Sequence, residues 1–223
     1  MYVRQPPEVN VAAVTRHRNP RGQGDQLRGD LIHAALTLLS AAGDPEDVSI
    51  RAVAKAAGVS PTAAYRHFHD RDDLVEAACA ECFELFTVVL VDSVAGIDDP
   101  FEALQRAGRA YVAFAREDEG LYRVLFSNPL HLDKGSGDAD SAGHNAFDTL
   151  VDMVQACIDA GAPVRGPGGS AEPDATYLAV QVWTWLHGMV DLSITHPTMP
   201  WPDPDVFLAD IQSSLGLVAP ASG

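Results

Sequence analysis

Apolar positions recur at spacings of three and four along most of this chain, which is the period of helices buried on one face. Leu27, Leu31, Ala34, Ala35, Leu38 and Leu39 place such a face on residues 25–41, and Gly43 with Asp44-Pro45 ends that helix. Ser49 opens a short helix over 50–56 that stops at Gly58. Ser60 caps a third over 61–67, with Pro61 at the first helical position, where its missing N–H is harmless. Asp70 caps a long fourth helix over 71–94, whose stripe reads Leu74, Ala78, Cys82, Leu85 and Val89. Further helices are predicted over 99–117, 120–127, 143–160, 174–195 and 205–216, with loops at 131–142 and 162–173 marked by Gly, Pro and polar residues. Alternating strand patterns and internal repeats are missing, so the predicted fold class is all-α.

The pattern also divides the chain. Residues 1–22, with Pro6, Pro7, Pro20 and Gly22 among scattered Arg and His, read as a flexible basic arm. Residues 23–70 hold three helices, two of them short, and residues 71–223 hold the longer ones. An apolar share of 47% and a charged share of 21% are ordinary for a globular protein of 223 residues.

Charge changes the picture. Thirty-one acids against fifteen bases give −16, a field that as an average repels polyanions. The average hides a division. Residues 1–71 hold nine basic and seven acidic side chains, a surplus of +2, whereas the remainder holds six and twenty-four, or −18. Such asymmetry points to nucleic acid at the basic end.

The stretch from Ser49 to Leu74, SIRAVAKAAGVSPTAAYRHFHDRDDL, has the form of a helix-turn-helix. Ile50, Val53 and Ala54 face inward, Val59 fills the turn, and Ala64 and Phe68 pack back. The second helix of such a pair enters the major groove. Ser49, Thr62, Tyr65 and His67 suit phosphate oxygens, which set register without reading sequence, and Ser60 is a further DNA-binding candidate. Arg51 and Arg66 can fork onto guanine or phosphate, the Thr62 methyl and Ala63 suit thymine methyls, and Arg71 can grip the backbone.

GVSPTAAYRHFHDRDDLVEA, preceded by SIRAVAKAA, resembles the DNA-binding region of the TetR family of regulators over residues 25–75. Ala64 stands where a larger apolar residue is more usual. The resemblance implies a three-helix DNA domain followed by a larger helical domain that binds an effector and dimerises. Trp185-Leu186-His187-Gly188, with Leu121-Tyr122 and Leu125-Phe126 upstream, resembles the ligand domain of the WHG branch of that family.

The acidic remainder is expected to hold the effector among Phe86, Tyr111, Phe114, Phe126, Phe147, Met153, Trp183 and His187, since aromatic and Met side chains around a few polar groups suit small molecules. Phe83 is a further aromatic of this kind. Residues 174–195 are apolar nearly all round and so are buried on more than one side, against their own core and a second copy of the chain. Trp185, Met189 and Leu192, with Phe207 and Ile211 of the last helix, form the expected dimer contact, and Gly188 would allow close backbone approach.

The expected partners are double-stranded operator DNA with a palindromic site, an unknown small-molecule effector and a second copy, with no membrane. The alternative is a helical domain that docks a protein partner instead of a small molecule. A repressor is the expected mode. The acidic surplus also allows a cationic effector, although surface charge says little about a pocket. His187 and Asp191, four apart, could share a hydrogen bond.

No cofactor, metal or catalytic residue is expected. The motif G-x-S-x-G is missing, and Cys79-x-x-Cys82 lies on the apolar stripe of a helix, where core packing explains it. Three cysteines, no long apolar run and no apolar stretch behind Arg4 fit a cytoplasmic chain.

Overall fold

The computed structural model describes residues 24–42, 46, 48–126 and 138–220. The proposed arm at 1–22, the helix stop at Gly43 to Pro45 and most of the loop at 131–142 lie outside them. The described residues form the helices α1 (Gly24–Ala41), α2 (Ile50–Ala56), α3 (Pro61–Ala64), α4 (Arg71–Ser93), α5 (Pro100–Glu117), α6 (Glu119–Phe126), α7 (Asp138–Asp159), α8 (Ala175–Thr195) and α9 (Pro204–Leu215). No strand occurs among them, so the all-α class holds.

Local chemistry sets most boundaries. The side chains of Ser49, Ser60, Asp70, Asp99, Asp174 and Asp203 each accept a backbone N–H at a helix start, satisfying donors that a helix leaves open. The Asp70 carboxyl is held below its ordinary value, first by the Asp73 N–H and then by His69. Gly216, at φ +74°, ends α9 in the left-handed conformation.

Three expectations need correction. Regular α-helix in α3 stops at Ala64 rather than 67. Tighter turns follow, with Arg66 N–H on Ala63 O and His67 N–H on Ala64 O. α7 starts by 138 rather than 143, so an acidic segment read as loop is helical, in keeping with the preference of helix N-termini for carboxylates. On α4, Leu85 and Val89 are exposed, and Phe86 and Leu90 are buried instead.

The α4 stripe thus runs 74, 78, 82, 86, 90. Steps of four overshoot a 3.6-residue turn, so the buried face winds about the helix as its partners change. The Cys79 thiol donates to the Val124 carbonyl on α6, and Phe86, farther along, packs on Tyr111 and Phe114 of α5. A single buried cluster runs from Leu31 of α1 to Leu217 beyond α9. Arg109 of α5 pairs with Asp205 of α9 at 2.6 Å, and the Gln212 amide donates to Phe101 O.

One close approach joins the ends of the molecule. Gly120 of α6 lies against the backbone of Ser40 at the end of α1, where any Cβ would overlap it. The Ser40 hydroxyl donates to Asp118 Oδ1 at 2.8 Å, and the same oxygen accepts the Leu121 N–H.

Candidate DNA interface and effector cavity

α2 and α3 are joined by a turn in which Gly58 takes φ +70° and the Val59 N–H bonds to Ala54 O. Ile50, Val53, Ala54, Ala64 and Phe68 are buried beneath it, and the Arg28 guanidinium lies 5.3 Å from the Phe68 ring centroid. Ala64 is fully buried, so its small side chain is what the close approach of α3 uses.

The opposite surface carries most of the DNA-binding candidates. Arg51, Thr62, Tyr65 and Arg66 are exposed, and Ala63 and His67 are half-buried beside them. Ser49 and Ser60 accept the Ala52 and Ala63 N–H groups at 3.2 Å, which leaves each hydroxyl hydrogen available to a phosphate. Arg71 is engaged within the protein. Its Nε donates to Val48 O at 3.0 Å and its Nη1 to Asp72, with Glu46 at 3.5 Å. It fastens the start of α4 to the segment before α2, a role the sequence pattern does not reveal.

A cavity of about 540 Å³ lies between α4, α5, α6, α7, α8 and α9. Phe86, Tyr111, Phe126, Phe147, Met153, Trp183 and His187 line it as expected, and so does Phe83. Phe114 does not. It stands behind Phe86, with ring centroids 5.1 Å apart. The aromatic rings interlock edge to face: Phe126 meets Phe86 at 90° and Phe83 at 88°. Lys, Arg, Asp and Glu are missing from the lining among the described residues, so no acidic side chain of the wall supports a cationic effector.

The polar part of the cavity centres on His187. Its Nδ1 lies 2.8 Å from the Tyr122 hydroxyl and 3.1 Å from that of Tyr111. It does not share a hydrogen bond with Asp191; that residue acts on it only through its charge. Burial lowers the His187 pKa, and Asp191 opposes this in part. Desolvation pushes Tyr122 up to about 12 and raises Tyr111 further, so both phenols keep their protons. The sequence reading passed over Tyr122 as a contact. A signal existed: Tyr122 and Phe126 stand four apart on α6, and a buried phenol needs a partner.

The proposed dimer residues divide. Met189 (6% exposed) and Ile211 (1%) are buried in their own chain, and Ile211 lines the cavity, so neither is available to a second copy. Trp185 (41%) and Leu192 (47%) are exposed, and Phe207 is half-buried. Helix α8 turns Leu178, Val182, Leu186 and Met189 inward, and Tyr177, Trp185 and Leu192 outward beside Gly188, where a Cβ would meet only open space.

Cys79, Cys82 and Cys157 are buried and form no disulfide with one another. Burial pushes Cys82 up to about 12 and Cys157 to about 11, the opposite of a reactive or metal-binding thiol. No group of His, Cys, Asp or Glu suited to a metal ion occurs among the described residues, and no helix there is long and apolar enough to cross a membrane.

Comparison with known proteins agrees with this layout. Residues 31–78 match the family described as bacterial regulatory proteins, tetR family. Residues 104–212 match the tetracyclin repressor-like C-terminal domain. Among solved structures, a protein of unknown function from Rhodococcus sp. RHA1 is 26% identical, with a TM-score of 0.69 over 85% of this chain and 93% of that one. A TetR family transcription regulator from Marinobacter aquaeolei VT8 is 18% identical, with a TM-score of 0.64 over 88% and 98%. RolR in complex with resorcinol is 19% identical, with a TM-score of 0.59 over 87% and 89%. With a helix-turn-helix matched at one end and a regulatory ligand-binding domain at the other, the chain belongs to the TetR family of DNA-binding transcriptional regulators.

Proposed function

We propose that this protein is a homodimeric repressor that binds a palindromic operator and releases it when a small molecule enters the cavity. The observation that carries the proposal is the 540 Å³ cavity in the same chain as an exposed α2–α3 surface. A roomy interior lined by rings and a few polar atoms suits a small molecule better than a protein partner, which would need an exposed face instead. In this proposal Ser49, Ser60, Tyr65 and His67 hold phosphates, while Arg51, Thr62, Ala63 and Arg66 face base edges.

One α3 reads too few bases for a specific site. Two copies related by a two-fold axis read half-sites about one helical turn apart. The outward face of α8, with Trp185, Gly188 and Leu192, supports pairing there, since large apolar side chains are left in water in the single chain. An effector acts by binding more tightly to a state in which the two α3 helices no longer fit one face of the duplex.

The test uses DNA fragments that the protein retrieves from its genome. Their affinity is measured with and without candidate effectors, alongside the mass of the free protein by sedimentation. A palindromic footprint, a dimer mass and a weakened affinity at saturating effector are expected. Unchanged affinity with the cavity demonstrably filled removes the switching claim, and a monomer on a single half-site removes the dimer.

A further inference from the structure

His187 offers one hydrogen-bond donor to the cavity, and the surrounding groups fix which one. Two phenols meet at its Nδ1, at 2.8 Å for Tyr122 and 3.1 Å for Tyr111. Both keep their protons because burial disfavours the phenolate. If Nδ1 carried the imidazole proton, that nitrogen would donate to one phenol and the two phenol protons would lose the acceptor they share. If Nδ1 is bare, its lone pair faces both phenol protons, at 2.8 and 3.1 Å. The imidazole proton then sits on Nε2, which has no acceptor among the described residues.

The rest of the wall narrows the ligand further. Among the described residues, the groups that could charge His187 or balance an ion are Tyr111, Tyr122, Asp191 and His144, and none of these is a fixed cation. Leu104 and Tyr111 of α5 both line the cavity, and seven residues of helix separate them by about 10 Å. At the α9 end Gln212 is 9% exposed, and its amide nitrogen is held by Phe101 O. Its carbonyl oxygen has no donor among the described residues.

We propose that the cavity takes an uncharged, elongated apolar molecule whose carbonyl or ether oxygen accepts the Nε2–H of His187. At His187 a carboxylate would be buried opposite a neutral imidazole with no cation beside it among the described residues, and an ammonium would meet a donor where it needs an acceptor. This assignment rests on the cavity being the effector site, but binding tests it separately from DNA release.

The test titrates the full-length protein at pH 8 with three probes of equal length: 2-nonanone, nonanoate and nonylammonium. The ketone is expected to bind at least tenfold more tightly than either ion. His187→Phe is expected to weaken the ketone about tenfold, the worth of one hydrogen bond, while leaving the ions unchanged. Nitrogen-15 NMR of the unliganded protein gives a readout that needs no variant, with the proton expected on Nε2 of His187 and its signal moving on addition of ketone.

Tighter binding of nonanoate or nonylammonium, a proton on Nδ1, or no binding of any probe at millimolar concentration would each overturn the proposal. A ketone that binds as expected yet leaves operator affinity unchanged would instead sink the effector reading and leave the ligand class standing.

Discussion

The contact between Gly120 and Ser40 is a close approach of α6, beside the cavity, to α1, so a Cβ at residue 120 gives a quantitative test. In Gly120→Ala that atom would overlap the Ser40 carbonyl oxygen, and it would lie 2.6 Å from Ser40 Oγ and 2.7 Å from the carbonyl carbon. Two of these atoms are backbone, so no rotamer change relieves the clash and α1 must part from α6. Overpacking of this kind costs about 1–3 kcal/mol. Parting the helices also stretches the Ser40–Asp118 hydrogen bond, a bond to a charged acceptor worth about 1.5 kcal/mol or more. Ala exceeds Gly as a helix former by up to about 1 kcal/mol, which offsets part of this. The net is a loss of about 3 kcal/mol, or roughly 6–12 °C in Tm for a chain of this size. Ser40→Ala removes only the hydrogen bond, so about 1.5 kcal/mol and roughly 3–6 °C are expected. Thermal unfolding followed by circular dichroism measures both. A Gly120→Ala protein within 2 °C of the parent would show that α1 and α6 are not in rigid contact and would refute the reasoning.

Four further outcomes follow from named contacts. Tyr65→Phe should weaken operator binding alike for all sequences while leaving Tm unchanged, because the exposed hydroxyl makes no hydrogen bond to the described residues; a sequence-dependent loss would move Tyr65 to base contact. Arg51→Ala should cost about 1–3 kcal/mol at one base position in a binding-site selection, and an equal loss at every base would reassign it to phosphate. Arg71→Ala should lower Tm by several degrees through the lost Val48 and Asp72 bonds, with the salt slope of DNA binding unchanged; a slope reduced by about one would show a phosphate contact. Native protein at pH 8 should react slowly with a thiol reagent, because burial pushes Cys82 up to about 12 and Cys157 to about 11, and fast reaction before unfolding would contradict that burial.

The parts of this molecule legible in the sequence are those set by neighbours along the chain. Ser49, Ser60 and Asp70 mark helix starts because a cap bonds three residues away, and Gly58 marks a turn because its φ demands it. Contacts across the fold were legible only by residue type. Seven of eight proposed cavity residues are in its wall because an apolar ring on a helix has few other places to go. Phe114 and Phe86 could not be separated, since both are apolar aromatics and only the rotation of α5 decides which meets the void. On α8 both faces are apolar, so Met189 and Trp185 look alike until α5 and α9 claim one side. Tyr122 was passed over and the bonds of Arg71 within the chain were not anticipated because their partners, His187 and Val48, lie 65 and 23 residues away.

The same distinction explains how a chain of −16 can bind a polyanion and still keep a neutral ligand site. Screening confines exposed charges to about 8–10 Å in physiological salt, so the −18 beyond residue 71 acts chiefly on what approaches that surface. That charge is expected to repel DNA from the surface it occupies and so to lower non-specific affinity, leaving contacts made by α2 and α3 untouched. The cavity, walled by rings and free of charged side chains among the described residues, is set by desolvation instead. Desolvation keeps His187 neutral, so below its unfolded value near 6.5 the folded protein binds fewer protons than the unfolded one, and stability falls as pH drops toward the lowered folded value. The acidic surface and the neutral interior therefore answer to different variables. Salt should tune operator binding, and pH below 6.5 should tune the cavity, with His187→Phe removing the second dependence and leaving the first.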